Sequence, residues 1–180
     1  MSAPALPSYD DVLGLPALIE DTVPMSFIDV NGHMNIRHYL DYGATGADVI
    51  CRQVGIDDEY RARRRMGVFT AEHHIRYAAE MHEGSRFSVH ARFLERSGKA
   101  GHLLSFILDR DREVLSCTVE IVLVHVGMDS RRPVEFPPDV AAGLDEWIAA
   151  DGAVGWPAPV CGVMGIRRRE PAGASRQLGA

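Results

Sequence analysis

From Ile36 to Val54 apolar and small residues recur at steps of three and four: Ile36, Tyr39, Leu40, Gly43, Ala47, Ile50 and Val54 share one face of a helix. The middle of that face is unusually small, with Gly43, Ala44, Gly46 and Ala47. A glycine inside a helix costs about 1 kcal/mol, and close approach to a sheet is the expected compensation. After the helix the pattern changes to alternation. In "VFTAEHHIRYA", Phe69, Ala71, His73, Ile75 and Tyr77 fall on one side and Thr70, Glu72, His74 and Arg76 on the other. In "RFSVHARFL", Phe87, Val89, Ala91 and Phe93 oppose Arg86, Ser88, His90 and Arg92. "SGKAG" turns the chain into "HLLSFILD", and "RDR" turns it into a long strand from Glu113 to Val126. Residues 17 to 26 predict a first strand ending near Pro24. "FPPDVAAGLDEWI" predicts a terminal helix begun by Pro137 and Pro138, with Val140, Leu144 and Ile148 on one face.

The order is strand, helix, four consecutive strands, helix. It predicts an α+β fold in which an antiparallel sheet of about five strands wraps one long central helix. Residues 1–15 are expected as a loose lead-in and 16–150 as the folded domain. Residues 151–180, rich in Gly, Ala, Pro and Arg, are expected as a mobile tail, with Trp156, Val163 and Met164 able to dock on the body.

Composition narrows the classes. Apolar residues are 46% of the 180, enough for a core of ordinary size, and the net charge of −6 gives no support for nucleic-acid or anionic-membrane partners. No apolar run approaches the roughly 20 residues that span a bilayer, and "MSAPALPSYDDVLGLP" lacks the basic start of a secretory signal. Cys51, Cys117 and Cys161 are odd in number and widely spaced, which suits a reduced cytoplasmic protein better than a disulfide framework. No metal is expected: His33 and His38 are five apart, and His73 and His74 point to opposite sides of a strand.

The segment before the helix carries the candidate chemistry. Asp29, Asn31, Gly32, His33 and Asn35 fall within seven residues, followed by Tyr39-Leu40. This Asp-x-x-Gly segment, continued as Gly-His-x-Asn, resembles the hotdog-fold thioesterases of the 4-hydroxybenzoyl-CoA thioesterase-like group, over roughly residues 15–150. Asp29, Asn31 and His33 also match the Asp-x-Asn-x-His segment of plant acyl-carrier-protein thioesterases. "VFTAEHHIRYAAEMHEG" is similar to thioesterases of carnitine and betaine breakdown. Hotdog enoyl-CoA hydratases place their acid and imidazole five residues apart around a proline. Asp29 and His33 are four apart with no proline between, which counts against hydration.

The resemblance implies hydrolysis of an acyl-CoA thioester, with coenzyme A as part of the substrate and no other cofactor, in a homodimer or homotetramer. A carboxylate at a helix mouth can attack the carbonyl or activate water, and the unpaired N–H groups of the first turn can hold an oxyanion. On this reading Asp29 is nucleophile or base, His33 and Asn35 orient the carbonyl or water, Asn31 holds the loop, and Gly32 admits the thioester. Tyr39 stands beside the substrate. Glu80, three residues after Tyr77, and Glu72 are candidates for a second carboxylate. Arg61, Arg63 and Arg64 are candidates for the phosphates of coenzyme A. The residues taken alone also suit simpler roles: Asp and Asn cap helices, Asn-Gly makes turns, and charge runs form solvated faces. Two alternatives remain: an enoyl-CoA hydratase on the same fold, opposed by the Asp29-to-His33 spacing, and a non-catalytic acyl-CoA-binding module. The long strand from Glu113 to Val126 is expected at a sheet edge that pairing of subunits would cover.

Overall fold

In the computed structural model, which describes residues 5–166, the alternating segments pair into one five-stranded antiparallel sheet of order β1-β3-β4-β5-β2. The strands are β1 (Ile19–Thr22), β2 (Met66–Tyr77), β3 (Arg86–Arg96), β4 (Ala100–Asp109) and β5 (Val114–Gly127). Four helices accompany them: α1 (Tyr9–Leu13), α2 (Ile36–Gln53), α3 (Asp58–Arg64) and α4 (Pro138–Gly152). The sheet curls around α2, which packs on β3, β4 and β5.

The small residues of α2 make that packing possible. A Cβ added at Gly43 would stand 2.4 Å from Val119 Cγ2, and one at Gly46 would stand 2.8 Å from Val89 Cγ1. Ser105 Oγ donates to the Gly43 carbonyl at 2.8 Å, tying helix to sheet through the same gap. Phe87, Val89, Ala91 and Phe93 join Ile50, Cys51, Val119 and Ile121 in the main core, as the alternation predicts.

Four features depart from the pattern. A bulge interrupts β2 at Ala71: Thr70 opposes Leu123 but Glu72 opposes Val122. The extra residue switches the strand's faces, so Phe69 points outward while His73, Ile75 and Tyr77 face the α2 side opposite Ile121, Val119 and Cys117. The open edge is β2, not the strand beginning near Glu113, because β5 lies between β4 and β2. A further helix, α3, occupies the region between α2 and β2, to which the sequence pattern assigns no element. In α3 the Asp57 side chain accepts from Tyr60 N at 2.8 Å. Acids fill its first turn and arginines its last, matching the helix dipole.

The fourth departure concerns the ends. Residues 9–13 of the expected loose lead-in form α1, opened by a capping box between Ser8 and Asp11. Val12 is fully buried against Leu104, Phe106, Leu108 and Leu115 on the sheet face turned away from α2. The same face receives Trp156 from the expected tail, edge-on to Phe106 with ring centroids 5.5 Å apart. The Arg92 guanidinium lies 4.3 Å from the Trp156 ring centre, donates to its carbonyl and pairs with Asp151. Val163, by contrast, stays exposed. "HLLSFILD" is apolar at consecutive positions, which is the mark of a strand buried on both faces. The ends are drawn in because that second face needs cover. Residues 167–180 of the expected tail lie outside the described residues.

Candidate active site

The turn before α2 is closed on itself. Asp29 N donates to the His33 carbonyl and Gly32 N to the Asp29 carbonyl, both at 3.0 Å. Gly32 has φ +83°, a left-handed conformation suited to glycine. The Asp29 carboxylate serves this turn as well: Oδ1 accepts from Asn31 N at 2.8 Å, and Oδ2 accepts a longer bond of 3.3 Å from Asn35 Nδ2. Asn35 is also the N-cap of α2, its Oδ1 accepting from Arg37 N at 3.2 Å. One amide side chain thus links the carboxylate to the helix mouth.

Beside the turn lies a cleft of about 200 Å³, with His33, Met34, Ile36, Tyr39, Tyr77 and Glu80 in its walls. Met34 N donates to the Met81 carbonyl at 2.8 Å, and Met81 N donates to the Tyr39 hydroxyl at 2.9 Å. These bonds pin the chain after β2 against the helix mouth. Burial pushes the Tyr39 phenol up to about 12, so it stays neutral and acts as a hydrogen-bonding wall. Tyr77 meets it edge-on with centroids 5.5 Å apart. Glu80 sits between two imidazoles, 4.0 Å from His33 Nε2 and 3.5 Å from His82 Nε2, while its carbonyl accepts from Arg112 Nη1 at 2.8 Å. The Ile36 amide, which a helix leaves without an intrahelical acceptor, lies at the same mouth.

The structure therefore gathers Asp29, Asn31, Gly32, His33, Asn35, Tyr39 and Glu80 in one neighbourhood. Asp29 is not itself in the cleft wall and reaches it through Asn35 and the backbone pair with His33. Glu72 is not brought in: it is exposed on the outer face of β2 opposite Val122. The arginines also lie elsewhere, in α3, which follows the C-terminal end of α2 and sets Arg61 beside Asp48, away from the turn at the N-terminus of this 18-residue helix. Each has a carboxylate partner. Arg61 pairs with Asp48 and Asp58, Arg63 with Glu59, and Arg64 with Asp139. His82 joins the site without having been singled out in the sequence: its Nδ1 lies 3.2 Å from the Gly32 carbonyl. Its position two residues after Glu80 was the available signal.

A curled sheet around one helix, with a polar turn at the helix mouth, defines a hotdog protein. The chain belongs to the thioesterase-like superfamily, whose model matches residues 23–144. It is 34% identical over 155 residues to an L-carnitine dehydrogenase/betainyl-CoA thioesterase of Ruegeria pomeroyi, covering 85% of this chain but 31% of that one. The chain thus spans about a third of that relative's length. A betainyl-CoA thioesterase of Pseudomonas aeruginosa is 28% identical over 148 residues, covering 82% of this chain and 92% of that one. Among solved structures, a Staphylococcus aureus protein in complex with CoA superposes with a TM-score of 0.76 at 22% identity, covering 85% of this chain and 97% of that one. No helix among the described residues is long and apolar enough to cross a membrane.

Proposed function

We propose that the chain hydrolyses an acyl-CoA thioester at the mouth of α2. The observation that carries this reading is the junction of the Asp29 carboxylate, through Asn35, to a helix N-terminus that borders a cleft. Asp29 Oδ2, held by one long hydrogen bond, activates water or attacks the thioester carbonyl directly. The Ile36 amide receives the oxyanion, aided by the helix dipole. Collapse of the adduct breaks the C–S bond, and the departing thiolate takes a proton from His33 or from solvent. On the direct route a water then cleaves the acyl–Asp29 anhydride, releasing the acid and restoring the carboxylate. Glu80 orients His33 and His82. No metal or redox group enters this sequence of steps.

The named relatives support a betainyl group as the acyl part. A quaternary ammonium is bound by aromatic faces and nearby carboxylates, and Tyr39, Tyr77 and Glu80 supply both kinds of group in the cleft wall. The family's habit of forming dimers and the open β2 edge support a homodimer.

Thiol release from a panel of acyl-CoA esters, including betainyl-CoA and one enoyl-CoA, tests the reading. The expected outcome is turnover of betainyl-CoA and a loss of at least about a hundredfold in Asp29→Asn, the scale of general-base catalysis. Asparagine keeps the acceptor oxygen that the turn uses, so the fold should persist. Binding without thiol release would make the domain a receptor, and water addition to the enoyl ester would make it a hydratase.

A further inference from the structure

On the sheet face turned away from α2, the strand register lines up Glu95 of β3 opposite His102 of β4, and Glu120 of β5 opposite His74 of β2. His102 Nδ1 lies 3.6 Å from Glu95 Oε1, and its Nε2 lies 2.9 Å from Glu120 Oε1. His74 Nδ1 approaches the other Glu120 oxygen at 3.8 Å. The segment after α4 crosses this line: Cys161 N donates to Glu120 Oε2 at 2.7 Å and Ile166 N to Glu95 Oε1 at 3.0 Å. That backbone bond carries the Cys161 side chain to the cluster, where its sulfur, a Glu120 oxygen and a His74 nitrogen all lie within 4.8 Å of one another.

We propose that His74, Glu120 and Cys161 form a binding site for a divalent transition metal of the zinc class, which clips the segment after α4 to the sheet. A thiolate, an imidazole and a carboxylate make a donor set that zinc accepts and that magnesium and calcium do not favour. Bonds of about 2.0–2.3 Å in a tetrahedron hold ligand atoms roughly 3.3–3.8 Å apart. The three atoms need to close by about 1 Å to meet that spacing. His74, on the open edge strand with its side chain 41% exposed, has room to make the move. Glu120 is the fixed point. It is 1% exposed, a costly place for a carboxylate, and His102 holds its far oxygen as an outer-shell partner would. A fourth position remains for water or another ligand. Nothing in the spacing of residues 74, 120 and 161 announces this site; strand pairing and the returning tail create it. It is on the opposite face of the sheet from α2 and stands independently of the hydrolase reading.

The test uses the full chain stripped of metal by a chelator and titrated with cobalt(II), then zinc(II). The expected result is about one equivalent of tight cobalt binding, with thiolate-to-cobalt charge transfer in the near ultraviolet, tetrahedral bands in the visible, and displacement by zinc, as one site per chain requires. Cys161→Ser should abolish the charge-transfer band, and His74→Ala should weaken binding by at least about tenfold, whereas Asp29→Asn should bind as the wild type does. Both substituted side chains are partly exposed, and the tryptophan near-ultraviolet circular dichroism, compared with that of Trp156→Phe to isolate the Trp156 part from Trp147, checks that the segment is still docked. Cys51 and Cys117 are buried in the core and do not compete. Absence of a thiolate band at saturating cobalt, or a band that survives in Cys161→Ser, overturns the proposal.

Discussion

His125 shows how a buried imidazole contributes to the pH response of the chain. It is fully buried, its Nδ1 lies 3.1 Å from the Val134 carbonyl, and its Nε2 lies 2.8 Å from the Tyr60 hydroxyl. Burial pushes its pKa below the ordinary 6.5, and burial does the same to His90, which stands 2.9 Å from the Leu15 carbonyl. As pH falls through 6.5 the unfolded imidazoles take up protons before the folded ones do, so stability drops; the loss levels off below the folded values. Glu120 adds to the trend at lower pH. Burial raises it, but the bonds from His102 and from Cys161 N outweigh that and hold it below 4.5. The urea midpoint should therefore fall between pH 7.5 and pH 5.5, and His125→Gln should flatten part of that slope. A midpoint indifferent to pH across this range would rule the account out. Legibility in the sequence also differs residue by residue. Asp29, Asn31, Gly32, His33 and Asn35 were readable together because they are contiguous and form one local turn. His82 was not, because its contact with the Gly32 carbonyl depends on how the chain folds back after β2.

Among the elements, α2 was the most legible, because its apolar period and its row of small residues say both that it is a helix and that it touches a sheet. Gly43→Ala tests the second half of that statement. The added methyl meets Val119 at 2.4 Å, and overpacking of this kind costs about 1–3 kcal/mol. Alanine returns roughly 1 kcal/mol of helix propensity, so the net effect should be destabilising, read as a lower denaturant midpoint with an unchanged slope. A variant as stable as the wild type would mean that α2 sits further from β5 than described. β2 was the least legible element. Alternation places Phe69 and Ile75 on one face, yet the bulge at Ala71 separates them. A bulge inserts a residue without altering composition, so period alone does not reveal it. α3 carries a sequence signal of its own, acids at its start and arginines at its end.

The molecule as a whole is sealed on three sides. α2 fills the concave face of the sheet. α1 and the segment through Trp156 cover part of the outer face, and α4 lies along the stretch of β3 that β1 leaves unpaired. On the fourth side β2 presents twelve residues whose outer edge has no strand partner among the described residues. Sedimentation at micromolar concentration should therefore return the mass of two chains. A proline in β2, at a position whose N–H points away from β5, should lower that mass and the rate of the proposed thioester hydrolysis together. A fully active single chain would separate assembly from function.

The two ends of the sheet are unequal, and the inequality limits growth. β1 is four residues long, carries Glu20 and Asp21, and is bracketed by Pro16 and Pro24. Short length, charge and proline all discourage strand addition. Among the described strands each chain then has a valence of one: the proposed twofold pairing through β2 would consume the receptive edge of both copies and leave β1 at either extremity. Fibrillar propagation, which needs an acceptor at each new tip, would find none among the described strands of such a pair.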